Sequence, residues 1–290
     1  MDNAIYHYGK KYIKKMIDIL LATYNGEKYL NQQIESILNQ TCRDWRLLIR
    51  DDLSTDNTIN IIKNYTSKYP DKIRLIEDDK GHLGLARNFG ALLEAAQSEY
   101  IMFCDQDDVW LPNKIELIIN VMKAAQQRNP GLPVLVHTDL RVVDENLNVI
   151  ADSFWKLVGI DPQTANNLDN LIIRNAVTGC AMMINRKAKE ISTPLPAEVK
   201  IHDWWIAMNV AKAGKILFVP VPSSLYRQHG GNVISAGRKK TFRLSDCKNG
   251  IVNHYKIVRK VVPDANPVIL TARILVSEIT RKIKRTRKRA

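Results

Sequence analysis

In the first 110 residues, strand-sized apolar runs alternate with segments of helical periodicity, and this alternation constrains the fold more than any other feature. Ile17–Ala22 suits a buried strand. Lys28–Asn39 then places Leu30, Ile34, Ile37 and Leu38 at helical spacing. Trp45–Arg50 predicts a second strand, and Thr58–Ser67 a helix with Ile59, Ile62 and Tyr65 on one side. Ile73–Ile76, Leu85–Ala96 and Tyr100–Cys104 continue as strand, helix and strand. Such alternation implies right-handed crossovers and a parallel sheet covered on both faces. Ligands of such sheets bind beyond the carboxyl ends of the strands. No G-x-G-x-x-G follows the first strand and no G-K-[ST] occurs, which disfavours a dinucleotide dehydrogenase or a P-loop enzyme.

The residues just beyond each strand end are therefore informative. Thr23-Tyr24-Asn25-Gly26 stands after the first strand, Asp51-Asp52-Leu53-Ser54 after the second, and Asp105-Gln106-Asp107-Asp108 after the fourth. Three carboxylates this close repel one another and persist together when a cation lies among them or when water solvates them. Oxygen ligands at this spacing suit Mg²⁺ or Mn²⁺, with positions left open for substrate phosphates. The plain alternative is a solvated loop in which Asp108 or Asn113 caps the next helix. Asp51 and Asp52 are placed to accept a hydrogen bond from a nucleobase imide, or to help cap the helix near Thr58.

The second half is less regular. Asn113–Gln127 predicts a helix, Val134–Thr138 and Arg141–Val149 two strands, and Val177–Ile184 a strand carrying Gly179. Asp203–Ala213 predicts a helix that Gly214 ends, and Lys215–Val219 and Ser223–Tyr226 two further strands. Asp203 stands where an N-cap would.

The set TYNGEKYLNQQIESILNQT, RDDLSTDNT, GLARNFG and FCDQDDVWLPNKI, followed by TGCAMMINR, HDWW and YRQHGGN, resembles the inverting nucleotide-sugar glycosyltransferases of glycosyltransferase family 2. DQDDVW and HDWW are most similar to the bacterial rhamnosyltransferase branch, which builds cell-wall, capsular and O-antigen polysaccharides. The resemblance covers about residues 16–235. It implies a GT-A (Rossmann-like) α/β fold with a mostly parallel central sheet and a nucleotide-sugar donor, dTDP- or UDP-linked. By the same resemblance, Thr23, Tyr24 and Asn25 line the nucleotide pocket, and Asp52 contacts the base. Arg87 lies near the ribose or diphosphate, Asp105 belongs to the D-x-D pair, and Arg227 pairs with phosphate. Asp-Gln-Asp-Asp permits either Asp107 or Asp108 as principal metal ligand for Mn²⁺ or Mg²⁺, and His229 adds an imidazole. Asp203 becomes the catalytic base. The family more often has an acid before that Asp; here His202 stands there, which leaves position 202 without an implied role. Trp204 is either core or an apolar platform for the acceptor, a glycan or lipid-linked oligosaccharide. The expected reaction transfers L-rhamnose from dTDP-β-L-rhamnose with inversion. The alternatives are a UDP-hexose transferase of the same fold and a non-catalytic carbohydrate-binding scaffold.

The net charge of +13 lies at one end. Residues 238–290 hold 16 Lys/Arg against 3 Asp/Glu, whereas residues 1–237 hold 27 of each. Val268, Ile269, Ala272, Leu275, Val276, Ile279 and Ile283 fall on one helical face beside this charge. An apolar stripe with a basic flank predicts a helix lying on an anionic membrane surface, and the plain alternative is a helix docked on the body. Nucleic acid is disfavoured, since no aromatic or motif pattern for it accompanies the charge. The expected division is therefore an N-terminal extension at 1–15, a glycosyltransferase domain at 16–237 and a basic helical extension at 238–290. Cys42, Cys104, Cys180 and Cys247 form no C-x-x-C pair and suggest reduced thiols. No apolar run approaches the roughly 18 residues of a membrane span, and no cleavage site follows the N-terminal lysines. The expected location is cytoplasmic, at the inner face of the cell membrane.

Overall fold

Period-two burial in the first strands shows why they lie at the centre of a covered sheet. In β1 (Ile17–Thr23), Ile17, Ile19 and Leu21 enter one core cluster, while Leu20 and Ala22 enter another on the opposite face. β2 (Trp45–Asp51) and β4 (Tyr100–Cys104) divide their side chains in the same way. Asp18 is buried in β1, where Arg46 of β2 and the N–H groups of Gln97 and Ser98 satisfy it.

The computed structural model describes residues 16–230, 244–274 and 276. The expected N-terminal extension at 1–15, and Leu275, Ile279 and Ile283 of the predicted stripe, lie outside the described residues. The helices α1 (Leu30–Leu38), α2 (Thr58–Lys68), α3 (Leu85–Ala95) and α4 (Lys114–Arg128) follow the predicted bounds to within about two residues. α1, α2 and α4 cover one sheet face and α3 the other.

The described strands form one sheet, in the order β3 (Ile73–Leu75), β2, β1, β4, β8 (Met182–Asn185), β6 (Val134–Val143), β9 (Lys215–Arg227) and β5 (Val109–Trp110), with β7 (Val149–Ala151) pairing β6 off this path. β3, β2, β1 and β4 run parallel, as expected. β8 runs antiparallel to both of its neighbours, β4 and β6. β6 and β9 are parallel to each other. The sheet is thus mixed, with its parallel half formed by β3, β2, β1 and β4.

Three elements differ from the sequence expectation. β6 does not break at Thr138-Asp139, because both polar side chains find buried partners. Thr138 bonds Ser223, and Asp139 accepts from Ser153 and the Trp155 N–H. β9 continues through Pro220 and Pro222, where its pairing with β6 shifts register: Val219 lies opposite Thr138 and Pro222 opposite Asp139, so Pro220 falls in the irregularity. The predicted strand Val177–Ile184 begins instead as a 3₁₀ turn at Gly179–Ala181 before β8. That turn matters for the site.

The C-terminal extension is not a separate unit in its described part. α10 (Leu244–Val261) buries Val258 and Val261 against α9 (His202–Ala213), and Leu270 joins the same cluster. Lys212 donates to the Val261 carbonyl, and Asn253 to that of Glu198. The described members of the predicted stripe, Val268, Ile269, Ala272 and Val276, face solvent.

Candidate active site

The polar groups beyond β1, β2 and β4 meet at one rim. Thr23 Oγ1 donates to Asp51 Oδ1, and the Asp52 N–H donates to the Thr23 carbonyl. Tyr24 and Gln106 exchange two bonds of 2.9 Å, tying the β1 loop to the acidic loop. Asn25 adopts a left-handed backbone, its N–H donating to Ser54 and its Oδ1 accepting from the Thr55 N–H. Tyr24 and Asn25 remain exposed at this rim, Tyr24 with its ring 4.9 Å from that of His82.

Asp52 is buried and heavily engaged. Its carboxylate accepts from Arg50 at 3.0 Å and from the Leu83 and Gly84 N–H groups at 2.7 Å. Arg50 in turn pairs bidentately with Asp78 and bonds Asn88 and the Gly81 carbonyl. The Arg50 guanidinium holds the Asp78 carboxyl down at about 2. Asp52 thus fixes the 78–84 loop beside the expected base position. Arg87, in the first turn of α3, is exposed and makes no hydrogen bond or ion pair among the described residues.

The acidic loop divides its three carboxylates. Asp107 faces the rim, where its Oδ2 lies 2.8 Å from His229 Nε2. Asp108 turns inward, is fully buried, and accepts from the Arg227 N–H at 3.0 Å. Burial, with repulsion from Asp107 and Asp105, holds its pKa well above the usual carboxylate range. Asp105 is half-buried, and burial with repulsion from Asp107 and Asp203 raises it too. Behind the loop sits Lys114, wholly buried, its ammonium bonded to the Cys180 carbonyl and Ser224 Oγ.

Two expectations are corrected here. Arg227 is 2% exposed, and its guanidinium donates to the carbonyls of Asp107 and Glu145 and to Gln32. It braces the acidic loop from within, so its donors are directed to protein instead of phosphate. Trp204 is not an open acceptor platform. Its ring stacks on His254 of α10 at 4.4 Å, and its Nε1–H donates to the Leu171 carbonyl.

Asp203 occupies the first turn of α9, where Oδ2 accepts from the Gly179 N–H at 2.7 Å and Oδ1 from Asn175 at 2.8 Å. Burial nevertheless pushes its pKa up to about 6. It stands close enough to Asp105 to raise that residue electrostatically. His202 packs its ring on Phe89 at 4.1 Å, and burial lowers its pKa to about 3, so it is neutral. A Cβ at Gly179 would lie 2.8 Å from His202 Nε2, which explains glycine there.

Asp107 and His229 fit a divalent ion: a carboxylate oxygen and an imidazole nitrogen converge at a partly exposed rim. Asp105, Asp108 and Cys180 also bring ligand atoms within 4.8 Å of one another. Asp108 is fully buried, however, so a cation there would be sealed from a diphosphate. Of the two acids, Asp107 is the one on the partly exposed rim beside His229. Sequence reasoning missed Arg50, Asp78, Asn175, Gln106 and Lys114. Arg50 in RDDLSTDNT, Gln106 in DQDD and Lys114 in LPNK stood inside the quoted motifs without an assigned role, whereas Asp78 and Asn175 had no local signal.

A mixed α/β sheet with an acidic loop after β4 and a carboxylate opening a facing helix defines the GT-A class of nucleotide-sugar glycosyltransferases. The sequence model of glycosyl transferase family 2 matches residues 18–191, more than half of the chain. The chain belongs to that family and is a glycosyltransferase that uses a nucleotide-sugar. It is 28% identical over 257 residues to the dTDP-rhamnosyl transferase RfbG of Shigella flexneri, covering 85% of this chain and 83% of that protein. An uncharacterized glycosyltransferase of Nostoc is 30% identical over 224 residues, covering 74% of this chain and 66% of the relative. Among solved structures, S. aureus TarS in complex with UDP-GlcNAc superposes with a TM-score of 0.57 at 18% identity, over 89% of this chain and 70% of that one. The mannosyltransferase PcManGT of Pyrobaculum calidifontis, in complex with GDP-Man and Mn²⁺, gives 0.57 at 17% identity, over 89% and 68%. These two likenesses establish the fold.

Proposed function

We propose that the chain transfers L-rhamnose from dTDP-β-L-rhamnose to a hydroxyl of a glycan or lipid-linked oligosaccharide, with inversion at the anomeric carbon. The observation that carries the chemistry is Asp203, a buried carboxylate aimed by Gly179 and Asn175 and within electrostatic reach of Asp105 of the acidic loop. A pKa of about 6 leaves it ionised at neutral pH yet basic enough to take a proton. The acceptor O–H proton passes to Asp203 as the oxygen bonds C1. The bond from C1 to the diphosphate oxygen breaks on the opposite face, and its electron pair leaves with the nucleoside diphosphate. One displacement on a β-linked donor gives an α-rhamnoside. Asp107 and His229 would hold Mn²⁺ or Mg²⁺, which would supply charge neutralisation for the diphosphate. Arg87 adds a free guanidinium to the same end of the sheet, and Thr23, Tyr24, Asn25 and the loop braced by Asp52 surround the nucleoside.

The choice of rhamnose is supported by the similarity to a named rhamnosyl transferase along most of this chain. Neighbours solved with UDP-GlcNAc and GDP-Man favour keeping a hexose donor as the second reading. Incubation with dTDP-rhamnose, UDP-glucose, UDP-galactose and GDP-mannose, with and without Mn²⁺, separates them. Turnover of UDP-hexose alone would remove rhamnose. Product NMR reads the anomeric configuration, and retention would remove the single displacement.

The membrane association also belongs to this proposal. No described helix is long and apolar enough to cross a membrane. Val268 and Ile269 are 75% and 59% exposed. They continue into the basic run RKIKRTRKRA. This arrangement suits an interfacial helix on anionic lipid. Val268→Glu with Ile269→Glu should lose flotation with anionic liposomes and keep the fold. Full flotation of this variant would overturn the assignment.

A further inference from the structure

Lys114 opens α4 directly behind the acidic loop, with no exposed surface. A buried ammonium is costly unless paired. Its two hydrogen bonds go to the Cys180 carbonyl at 2.5 Å and to Ser224 Oγ at 2.6 Å, and it lies 4.2 Å over the Trp110 ring. Neither hydrogen-bond partner is a carboxylate, although Asp105 and Asp108 are within electrostatic range. The charge is directed at the 3₁₀ turn Gly179–Ala181 and at β9.

That turn is the one whose first N–H holds Asp203, through the 2.7 Å bond from Gly179 to Oδ2. Ladder pairing of β8 begins only at Met182, so the turn lies outside the sheet's backbone hydrogen bonds, while Cys180 and Ala181 are buried in a core cluster with Leu140, Val142 and Tyr226. His202 closes on Gly179 from the opposite side, leaving no room for a Cβ. The turn is thus clamped between a lysine anchored on β9 and the first turn of the helix that carries Asp203.

We infer that Lys114 is a positioning residue for Asp203: its ammonium fixes the Cys180 carbonyl, and the turn so held aims the Gly179 N–H at the carboxylate. The inference rests on reading Asp203 as the base. Losing that fixed donor destabilises the ionised carboxylate and makes Asp203 a poorly oriented base. The titratable groups facing Asp203 are Asp105 from the loop after β4 and His202 from its own helix.

The test uses Lys114→Met, which keeps most of the stem and removes the ammonium. A thermal melt and circular dichroism establish folding. Hydrogen exchange is then followed in a peptide spanning 177–182, and rhamnosyl transfer is measured from pH 5 to 9. The expected result is exchange at Gly179 faster by about tenfold or more. The acid limb of the rate profile should move up by about half to one pH unit, with transfer at pH 7 lowered about 10- to 100-fold. Wild-type exchange at Gly179 and an unmoved acid limb would overturn the inference, whatever the rate. Should Lys114→Met fail to fold, Ser224→Ala removes one anchor and is expected to shift both readouts in the same direction by less. No shift in either would count against the proposal equally. If Asp203→Asn transfers sugar at the wild-type rate, the base assignment fails. The exchange comparison would still report whether Lys114 holds the turn.

Discussion

His229 Nε2 lies 2.8 Å from Asp107 Oδ2, although the two residues are 122 positions apart. The contact closes the rim between the loop after β4 and the end of β9, and it leaves Asp108 behind, bonded to the Arg227 backbone. Mn²⁺ binding followed by electron paramagnetic resonance should therefore weaken by at least about tenfold in His229→Ala and in Asp107→Asn. Asp108→Asn should bind Mn²⁺ more nearly as the parent does and should lose stability instead. A larger loss of Mn²⁺ affinity at Asp108 than at Asp107 would reverse the ligand assignment.

Asp203→Asn should lower transfer by about 10²- to 10⁴-fold while leaving donor binding intact. In the parent enzyme the rate should fall as pH drops through about 6, because the base becomes protonated. The same shift has a sign in stability. A carboxyl whose folded pKa is raised favours the folded state most below its unfolded value, and that contribution is lost as pH rises through about 6. The melting temperature of the Asn variant should thus gain on the parent's between pH 4 and pH 6. A constant difference across that window would show that Asp203 is not shifted upward.

Gly26→Ala probes the bridge between loops. A Cβ there would stand 2.4 Å from Gln106 Oε1, the far end of a flexible side chain. Gln106 should swing away and release Tyr24, with little cost to the fold. The expected outcome is a donor KM raised several-fold at nearly constant melting temperature. An unchanged KM would mean that the Tyr24–Gln106 pair does not shape the nucleotide pocket.

Two arginines at the rim should behave oppositely. Arg87→Ala removes an exposed guanidinium that has no partner among the described residues, and should raise donor KM about tenfold without affecting the melt. Arg227→Leu strands the carbonyls of Asp107 and Glu145 together with Gln32 Oε1. Leaving such acceptors unmet should cost about 2–4 kcal/mol, read as a lowered denaturation midpoint. If Arg227→Leu kept full stability and lost only donor affinity, the phosphate role expected from sequence would be restored.

Alternating apolar runs and helical spacing already determine the parallel half of the sheet and place Thr23, Asp52 and Asp105 after strand ends, because burial periodicity is a local property of the chain. Motif order likewise identifies the family. Only the tertiary structure decided which acid faces outward, since Asp107 and Asp108 are chemically identical and differ by what β9 brings to them. It also turned Arg227 into an internal brace, covered Trp204 with His254, and converted the start of a predicted strand into the turn that holds Asp203. Partners such as Lys114 to Cys180, 66 residues apart, and Asn175 to Asp203, 28 apart, leave no periodic trace. Hydrogen bonds between distant segments depend on where the folded backbone brings a donor and an acceptor together, and no spacing along the chain encodes that meeting.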